Sequence, residues 1–313
     1  MSAASLIADI GGTNARFAVA QDGRFDHLSV LRTAGYPTMQ AAARAFLAGL
    51  PAGLNVSRAA LDVAGPVSGD EVSLTNGAWS FSIAAARSEL GLTELRVFND
   101  FAATAMGIPH LGPADSIKIG GGNRVEHGPI AVIGPGTGLG VGCLVHGPDG
   151  WVVSPGEGGH ATMPAATREE SRIIDLLRDR WGHVSAERVL SGQGIRNLYE
   201  AVCILSGQTS RGLADREITA AALAGEDATC EQAVDLFCAM LGTVAGNLAM
   251  TLGATGGLFV TGGILPHFAD RFVASGFRER FDSKGRLSGY LRSIPAYLVV
   301  HPNPALVGLA NLG

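Results

Sequence analysis

The sequence of 313 residues contains only two lysines, Lys118 and Lys284, so arginine carries almost all of its positive charge. Neither lysine lies in a glycine-rich turn, and no glycine-rich stretch continues into Gly-Lys-Ser or Gly-Lys-Thr. A phosphate-binding loop of the Walker type is therefore excluded, because that loop needs a lysine on the β- and γ-phosphates. Any phosphate site in this chain has to use backbone N–H groups, arginine or a divalent cation.

Cysteine is also scarce, and charge is evenly distributed. The four cysteines lack the Cys-x-x-Cys or Cys-x-His spacing of a zinc site, so we expect small buried residues at Cys143, Cys203, Cys230 and Cys238. Charged residues make up 16% of the chain, the net charge is −5, and no block of lysine and arginine occurs. These features argue against a nucleic-acid partner.

One long segment lacks charge altogether. Residues 236–269 contain no Asp, Glu, Lys or Arg, which is enough chain to span a bilayer. Glycines interrupt this segment, and its pattern changes to that of a strand after Gly257. A buried helix followed by a core strand explains the pattern better, so we expect no membrane partner. The first residues lack the basic and apolar regions of an export signal, and we expect a cytoplasmic protein.

Glycine is abundant, with 44 residues, and 47% of the chain is hydrophobic, which is typical of a compact fold rich in tight turns. The apolar pattern predicts strands at 6–10, 16–20, 28–33, 58–64, 95–99, 130–133, 140–146, 151–154 and 257–260, and a strand followed by a helix in 294–312. It predicts helices near 38–50, 168–180, 186–206, 215–223 and 227–252. We predict two α/β domains: a small one over 1–110, joined by a C-terminal helix at about 301–313, and a large one over 111–300, with a boundary near 109–123.

Each half contains an apolar hairpin with a glycine-rich turn. The first is LIADIGGTNARFAV at 6–19 and the second is IAVIGPGTGLGVGCLV at 130–145. Glycine lets an anion approach the backbone closely, and successive N–H groups form an anion site. Asp9 beside the first turn cannot itself attract phosphate, but it fits if a divalent cation lies between them. Either turn alone could be an ordinary hairpin turn, whereas the pair indicates two halves of a phosphate clamp.

Several polar residues stand where they could bind a hydroxylated substrate. Asn99 and Asp100 follow a strand and precede an apolar helical stretch, so Asp100 is either a helix N-cap or a base that accepts a proton from a hydroxyl group. Glu157 and His160 lie among glycines that would expose them to vicinal hydroxyls. Glu187 lies near a helix start, where it could also simply complement the helix dipole.

Two further segments are candidates for ligand contact. Thr75, Asn76 and Trp79 lie in a polar turn that is either a plain loop or a lip facing the substrate. The strand at 257–260 is followed by Thr-Gly-Gly at 261–263, which would permit a flat base to lie against the backbone. No spacing of serine, histidine and aspartate supports a nucleophilic triad.

Together, these motifs resemble the bacterial glucokinase family of the hexokinase/actin-like ATPase fold. The resemblance covers nearly the whole chain and rests on the segments DIGGTNAR, FNDFAATAMGIP, GPGTGLGVGCLV, SPGEGGHATMPA, ERVLSGQGIRNLYEA, FVTGGILPHF and IPAYLVVHPNPALVGLA. It implies an α/β fold of two actin-like ATPase (ribonuclease H-like) domains flanking a deep cleft. It also implies ATP-dependent phosphorylation of D-glucose at O6, the first step of glycolysis, by a cytoplasmic homodimer that uses Mg²⁺.

The resemblance also implies a role for each motif residue. Asp100 would be the catalytic base. Glucose would be bound by Asn99, Asp100, Glu157, His160 and Glu187. ATP and Mg²⁺ would be bound by Ala8, Asp9, Ile10, Gly11, Gly12, Thr13, Thr137, Gly138, Gly262 and Gly263, with a nucleotide contact extending over 261–264. No cage of protein ligands is expected around the metal, and Asp9 would contact it through water. Arg16 is a candidate for neutralising phosphate charge.

Three alternatives stay open at this point. A kinase of the same fold could phosphorylate mannose, fructose or an amino sugar, because loop geometry decides which hydroxyls are recognised. A sugar-responsive transcription regulator would need a helix-turn-helix and a basic patch, and the sequence shows neither. A non-catalytic sugar-binding protein would not need both Asp9 and Asp100.

Overall fold

The structure is a computed structural model that describes residues 4–65, 67–74, 77 and 79–312. The strands in this part are β1 (Ala4–Ile10), β2 (Asn14–Gln21), β3 (Arg24–Arg32), β4 (Val56–Val63), β5 (Glu71–Ser73), β6 (Ser80–Ser82), β7 (Glu94–Asn99), β8 (Ser116–Ile119), β9 (Ile130–Pro135), β10 (Leu139–Gly147), β11 (Gly150–Gly156), β12 (Gly257–Val260) and β13 (Ala296–Val299). The helices are α1 (Met39–Ala48), α2 (Ile83–Glu89), α3 (Asp100–Gly107), α4 (Arg168–Trp181), α5 (Gly192–Leu205), α6 (Asp215–Ala224), α7 (Ala228–Leu252), α8 (Ala269–Ala274), α9 (Phe277–Asp282), α10 (Ser288–Ser293) and α11 (Pro304–Ala310).

The chain forms two compact units. Unit 1 contains the described residues up to Pro113 together with those from His301 onward, and unit 2 is Ala114–Val300. Unit 1 is therefore built from both ends of the chain, whereas unit 2 is one continuous segment.

The sheet of unit 1 has the strand order β3-β2-β1-β4-β7. β1 is antiparallel to β2 and parallel to β4, β2 is antiparallel to β3, and β4 is parallel to β7. The carboxyl ends of the three parallel strands lie at one edge, where Ile10, Val63 and Asn99 are neighbours in the strand register. Ligands of open α/β sheets bind at such an edge.

Both faces of this sheet are covered. Leu6, Ala8 and Ile10 of β1 belong to a core that includes residues of α1. The alternate residue Ile7 belongs to a second core, which contains residues of α3 and α11 such as Leu306. The alternation along β1 follows from the period of two in a strand and puts Asp9 on the same face as Ile7.

Two glycines allow α3 and α11 to pack closely. A Cβ atom added to Gly107 of α3 would clash with the carbonyl of Pro304, and one added to Gly308 of α11 would clash with the carbonyl of Ala103. The C-terminal helix is thereby packed against the helix that begins at Asp100.

The sheet of unit 2 repeats the strand order of unit 1 and adds one strand. Its order is β11-β10-β9-β12-β13-β8, in which the central β9 is antiparallel to β10 and parallel to β12. β13 continues the parallel part, and β8 is antiparallel to β13 at the edge. The repetition of the two halves predicted from their hairpins is confirmed.

The long uncharged segment is a core element of unit 2. By length and composition α7 could cross a membrane, but 67% of its most apolar window is buried inside the protein. Residues such as Phe237 and Leu241 belong to the main core, and α7 packs against α5, α6 and α9. The predicted succession of a buried helix and the core strand β12 is confirmed.

The structure corrects some predicted elements. The helix expected over 186–206 is broken, because Ala186–Arg188 is a 3-10 turn and α5 begins only at Gly192, with Ser191 as its N-cap. A Cβ atom on Gly194 would clash with the backbone of Val189, so the chain doubles back tightly at the break. The segment expected as a domain boundary contains β8, and β5, β6 and α2 were not predicted.

Candidate active site

In unit 1, the turn between β1 and β2 closes the hairpin that the sequence predicts. The N–H of Gly11 donates to the carbonyl three residues further on at 3.0 Å, which leaves Gly12 and Thr13 at the tip. Asp9 lies just before this turn, and its Oδ2 accepts a hydrogen bond from Arg16 at 3.0 Å. The Asp9 side chain is 26% exposed, so its carboxylate can be reached from solvent at the sheet edge.

Thr33, which sequence reasoning missed, holds the first turn from outside. Its N–H donates to the carbonyl of Thr13 at 3.0 Å, and its hydroxyl donates to the carbonyl of Gly12 at 2.8 Å. The carbonyl groups of both tip residues therefore accept hydrogen bonds from Thr33, which fixes the orientation of the peptide groups in the turn. Thr33 reaches the turn because it directly follows β3, which pairs with β2. No local motif signals this contact.

Ala8 and Ile10 lie on β1 just before the turn, but their side chains point into the core and do not reach a ligand at the turn. Both side chains are fully buried in the core of unit 1. The carbonyl of Ile10 accepts from the N–H of Ala64 at 3.2 Å. Any contact between these residues and a nucleotide would therefore have to involve the backbone.

Asn99 and Asp100 lie at the same edge, where β7 passes into α3. Asn99 is the N-cap of α3: its Oδ1 accepts from the N–H groups of Phe101 at 2.9 Å and Ala102 at 3.2 Å. Its Nδ2 donates to the carbonyl of Gly65 at 3.1 Å. Asp100 follows in the first turn, with Oδ1 accepting from the Phe101 N–H at 2.8 Å. The interpretation of Asp100 as the N-cap is therefore wrong, since Asn99 has that role.

Asp62 adds a buried carboxyl group that the sequence analysis did not single out. It lies on β4 beside Asp9 in the strand register, and its side chain is fully buried. Burial raises the pKa of Asp62 well above its ordinary value, and the nearby charges of Asp9 and Asp100 raise it further. The signal in the sequence was an aspartate that follows the apolar residues 59–61 within the strand, but only the strand register shows which residues lie beside it.

In unit 2, the turn between β9 and β10 has Thr137 at its exposed tip. The N–H of Gly136 donates to the carbonyl of Gly138 at 2.8 Å. The carbonyl of Gly136 accepts from the N–H of Gly192 at 3.0 Å, so the start of α5 supports this turn.

Glu187 is held directly on the second turn. Its Oε2 accepts from the N–H of Leu139 at 3.0 Å, and the same oxygen occupies the space that a Cβ atom on Gly138 would need. Glu187 therefore stabilises the glycine turn through this hydrogen bond. The expectation that its carboxylate merely complements a helix dipole is wrong. A bulkier residue at position 138 would displace the carboxylate.

Glu157 immediately precedes a short 3-10 turn, Gly158–His160, and His160 is the last residue of this turn. Both side chains are mostly exposed, and His160 Nε2 lies 3.9 Å from Glu157 Oε2. A Cβ atom on Gly159 would clash with the carbonyl of Leu139, so this loop packs directly on the residue whose N–H binds Glu187. Unit 2 thus brings the predicted residues Glu157, His160 and Glu187 close to its glycine turn.

The third glycine turn of the sequence also lies beside this group. Gly262 has φ +99°, and a Cβ atom there would clash with the carbonyl of Pro135 at the end of β9. Gly263 has open space on its Cβ side. The backbone at 262–263 is therefore accessible to a planar ligand without obstruction by a side chain.

The predicted polar lip is not supported at Trp79. The indole is 4% exposed and belongs to the core of unit 1, and its N–H donates to the carbonyl of Tyr36 at 3.0 Å. Trp79 is therefore a core residue that does not face a substrate. Thr75 and Asn76 lie outside the described residues.

A divalent cation fits unit 1 only as a partner shared with a ligand. Among the described residues, no group of three or more His, Cys, Asp or Glu side chains is arranged to hold a metal ion. Asp9 offers a single partly exposed carboxylate beside the glycine turn. Mg²⁺ typically keeps several waters and is bound through one or two carboxylates together with substrate phosphates. The donor set present suits that mode.

Comparison with known proteins identifies the family. A family model described as Glucokinase matches residues 6–313. The glucokinase of Nitrobacter hamburgensis is 53% identical over 312 residues, which cover 100% of this chain and 98% of that protein. The chain belongs to the glucokinase family.

Solved structures of other glucokinases share the fold. A glucokinase from an Antarctic psychrotroph is 38% identical, with a TM-score of 0.92 and coverage of 99% of this chain and 98% of that chain. A ROK family glucokinase from Streptomyces griseus, solved with glucose and AMPPNP, is 20% identical, with a TM-score of 0.64 and coverage of 99% of each chain. The predicted α/β class with the actin-like ATPase fold of sugar kinases is confirmed, and the chain is an enzyme of the glucokinase family.

Proposed function

We propose that the protein transfers the γ-phosphoryl group of ATP to O6 of D-glucose, which yields glucose 6-phosphate and ADP at the entry to glycolysis. The observation that carries this proposal is the position of Asp100, a carboxylate at the carboxyl edge of the unit 1 sheet, the edge that also bears the β1–β2 glycine turn. Membership of the glucokinase family supports glucose as substrate. A protein of the same fold solved with glucose and AMPPNP supports an ATP-type donor.

Asp100 is the proposed general base. The hydrogen bond from the Phe101 N–H to Oδ1 orients its carboxylate. Asp100 accepts the O6 proton as O6 attacks the γ-phosphorus and ADP departs. Phosphoryl transfer depends mainly on positioning and charge neutralisation, so one correctly placed base suffices. Asn99 positions Asp100 by capping α3, and we propose that it also contacts glucose.

The backbone of the glycine turns is the proposed phosphate contact. In unit 1 this is the turn that follows Asp9, with Gly11, Gly12 and Thr13. In unit 2 the proposed ATP contacts are Thr137, Gly138, Gly262 and Gly263. Mg²⁺, when bound, would neutralise phosphate charge, with Asp9 holding it through water.

The carboxylates and imidazole of unit 2 are the proposed ligands of the other glucose hydroxyls. Glu157 and His160 are exposed and can accept and donate hydrogen bonds. Glu187 has one oxygen on the Leu139 N–H, which orients its carboxylate, and its other oxygen is the proposed sugar contact. We further propose that units 1 and 2 are the two domains, and that the enzyme is a cytoplasmic homodimer without nucleic-acid or membrane partners.

The test is ADP release, measured by a coupled assay with Mg²⁺ and ATP, against glucose, mannose, fructose, N-acetylglucosamine and a blank without sugar. Turnover with glucose well above that with the other sugars is the expected result. Preferred turnover of another sugar would overturn the substrate assignment and keep the reaction type. Absence of turnover in folded protein that binds glucose would overturn the catalytic proposal and favour a sugar sensor.

A further inference from the structure

The Glu187 carboxylate is presented by a short 3-10 turn, and side chains from the start of α5 hold the backbone of that turn. The carbonyl of Glu187 accepts a hydrogen bond from the hydroxyl of Ser191 at 2.8 Å. The carbonyl of Arg188 accepts one from Nδ2 of Asn197 at 2.7 Å. The two peptide groups that follow the Cα atom of Glu187 are therefore each held by a buried polar side chain.

Asn197 is a fully buried amide on the apolar face of α5. Its neighbours Ile195 and Leu198 belong to the main core of unit 2. Both polar atoms of the amide are used, because Nδ2 donates to Arg188 and Oδ1 accepts from Nε2 of Gln193 at 3.0 Å. Asparagine is a weak helix former, and burial of an amide is costly unless it is hydrogen-bonded. Packing alone would favour an apolar residue here, so the amide points to a task outside the core.

We propose that Asn197 is a positioning residue that fixes Glu187 for the binding of glucose. Asn197 anchors the residue after Glu187, and the residue before it is anchored by a backbone hydrogen bond, in which the N–H of Ala186 donates to the carbonyl of Ala161 at 2.8 Å. Ala161 directly follows His160, the other proposed sugar ligand. The inference rests on the proposed function, in which one oxygen of the Glu187 carboxylate contacts a glucose hydroxyl.

The Glu187 carboxylate has two tasks, and both require a fixed backbone. Its Oε2 accepts from the N–H of Leu139 at 3.0 Å, and its other oxygen is the proposed sugar contact. Three side-chain torsions separate the carboxylate from the Cα atom, so a turn that could move would let the carboxylate follow Leu139 and leave the sugar. A binding group has to be held within about 0.5 Å of its productive position.

The second glycine turn has supports of its own, which limits what the loss of Asn197 can affect. The N–H of Gly136 donates to the carbonyl of Gly138, and the N–H of Gly192 donates to the carbonyl of Gly136. Neither hydrogen bond involves Asn197 or Glu187. The effect of Asn197 should therefore fall on glucose and spare the nucleotide.

The experiment is a double-mutant cycle in the full chain with Asn197→Ala and Glu187→Ala. Alanine at position 197 removes the amide and suits a helix. We expect Asn197→Ala to raise the KM and the calorimetric Kd for glucose about 5- to 20-fold, as for a weakened hydrogen bond to a charged group. The KM for ATP should stay within about twofold and kcat within about threefold, because the nucleotide contacts and Asp100 are untouched.

The second arm of the cycle separates positioning from damage to the fold. In the Glu187→Ala background no carboxylate is left to position, so adding Asn197→Ala should change the KM for glucose by less than about twofold. If Asn197→Ala does not fold, Asn197→Ser replaces it, because a serine hydroxyl in a helix bonds the carbonyl one turn earlier.

Thr229→Val is the matched control. Thr229 is also a buried polar residue of unit 2, 7% exposed, and its hydroxyl donates to Oε1 of Gln208 at 3.1 Å. The variant loses one buried hydrogen bond in the first turn of α7. It should lower the free energy of unfolding and leave the KM for glucose unchanged.

Three results would overturn the inference. The first is a folded Asn197→Ala or Asn197→Ser protein that binds glucose as wild type does. The second is an equal rise in KM with and without the Glu187 side chain, and the third is a Glu187→Ala protein with unchanged glucose constants. Failure of the proposed function looks different. Wild-type protein that binds glucose but does not phosphorylate it would overturn the reaction alone, because the Kd for glucose still reports on Glu187.

Discussion

Asp100 is the residue at which the proposed chemistry can be tested most directly. The Asp100→Asn variant retains an oxygen that can accept the Phe101 N–H but cannot take up the O6 proton. We expect kcat to fall by about two to four powers of ten, the typical contribution of a general base, while calorimetric glucose binding is retained. Asp227→Asn, a change of the capping carboxylate of α7, is the control and should leave kcat unchanged. Near-normal turnover of Asp100→Asn would remove Asp100 from the mechanism.

Thr33 allows the support of the first glycine turn to be tested separately from the turn itself. Thr33→Val keeps the shape of the side chain and removes the hydroxyl that donates to the Gly12 carbonyl. We expect a KM for ATP that is about 3- to 10-fold higher, since one neutral hydrogen bond contributes ~1 kcal/mol. Thr33→Ser keeps the hydroxyl and should resemble wild type in the same steady-state assay. Equal KM values for Thr33→Val and Thr33→Ser would show that the hydroxyl does not matter.

The raised pKa of Asp62 predicts how the free energy of unfolding changes with pH. Because its pKa is raised in the folded state, the unfolded chain releases a proton above pH ~4 that the folded protein keeps. The free energy of unfolding of the wild type therefore loses up to about 1.4 kcal/mol for each pH unit above that value until the raised pKa is reached. In the Asp62→Asn variant the side chain does not titrate, so this decrease in the free energy of unfolding is absent. Urea titrations from pH 4 to 8 should show its stability rising relative to wild type, and a difference independent of pH would contradict the raised pKa.

The residues that could be predicted and those that could not differ in one physical respect. Asp9, Asp100 and Glu187 stand in local motifs, so their spacing along the chain was informative. Thr33 reaches the first glycine turn, and Asp62 comes to lie beside Asp9, only because particular strands pair. Which strands pair, and in which register, is decided by the whole sheet, and a single sequence does not report it.

Among the secondary-structure elements, α3 and α11 pack closely against each other in unit 1. A Cβ atom on Gly308 would clash with the Ala103 carbonyl, so Gly308→Ala has to push the two helices apart. We expect a loss of about 1–3 kcal/mol in the free energy of unfolding, measured with urea, and a lower kcat because α3 begins at Asp100. Gly289→Ala in α10 meets no atom within 4 Å and should keep or slightly raise stability. Equal stabilities of the two variants would contradict the close packing.

The two glycine-containing hairpins could be predicted from the sequence, whereas the interruption of the helical segment before α5 was missed. Apolar runs around Gly-Gly-Thr and Gly-Thr-Gly require a turn, whatever the rest of the fold. The segment 186–206 has continuous helical periodicity, and the pattern hides the 3-10 turn that presents Glu187 to Leu139. The signal was Ser191 followed by Gly192, an N-cap residue inside the presumed helix.

At the scale of the whole molecule, the cysteines report on the integrity of the fold. All four are buried and free. Burial raises the pKa of Cys230 to about 11 and that of Cys238 to about 12. At pH 8 we expect native protein to react with an aromatic disulfide reagent far more slowly than unfolded protein, which should release four thiol equivalents. A thiol that reacts in the native protein as fast as in the unfolded protein would show that the core around that cysteine is accessible to solvent.

Because unit 1 contains residues from both ends of the sequence, the two units are completed at different times during synthesis. Unit 2 is complete once Val300 has been added, whereas unit 1 needs the segment from His301 onward, including α11. Translation adds about 5–20 residues per second, and domains generally fold as units during synthesis. Unit 2 can therefore mature on the ribosome while the sheet that carries Asp9 and Asp100 still lacks its last helix. We therefore expect a nascent chain that does not yet include α11 to lack activity.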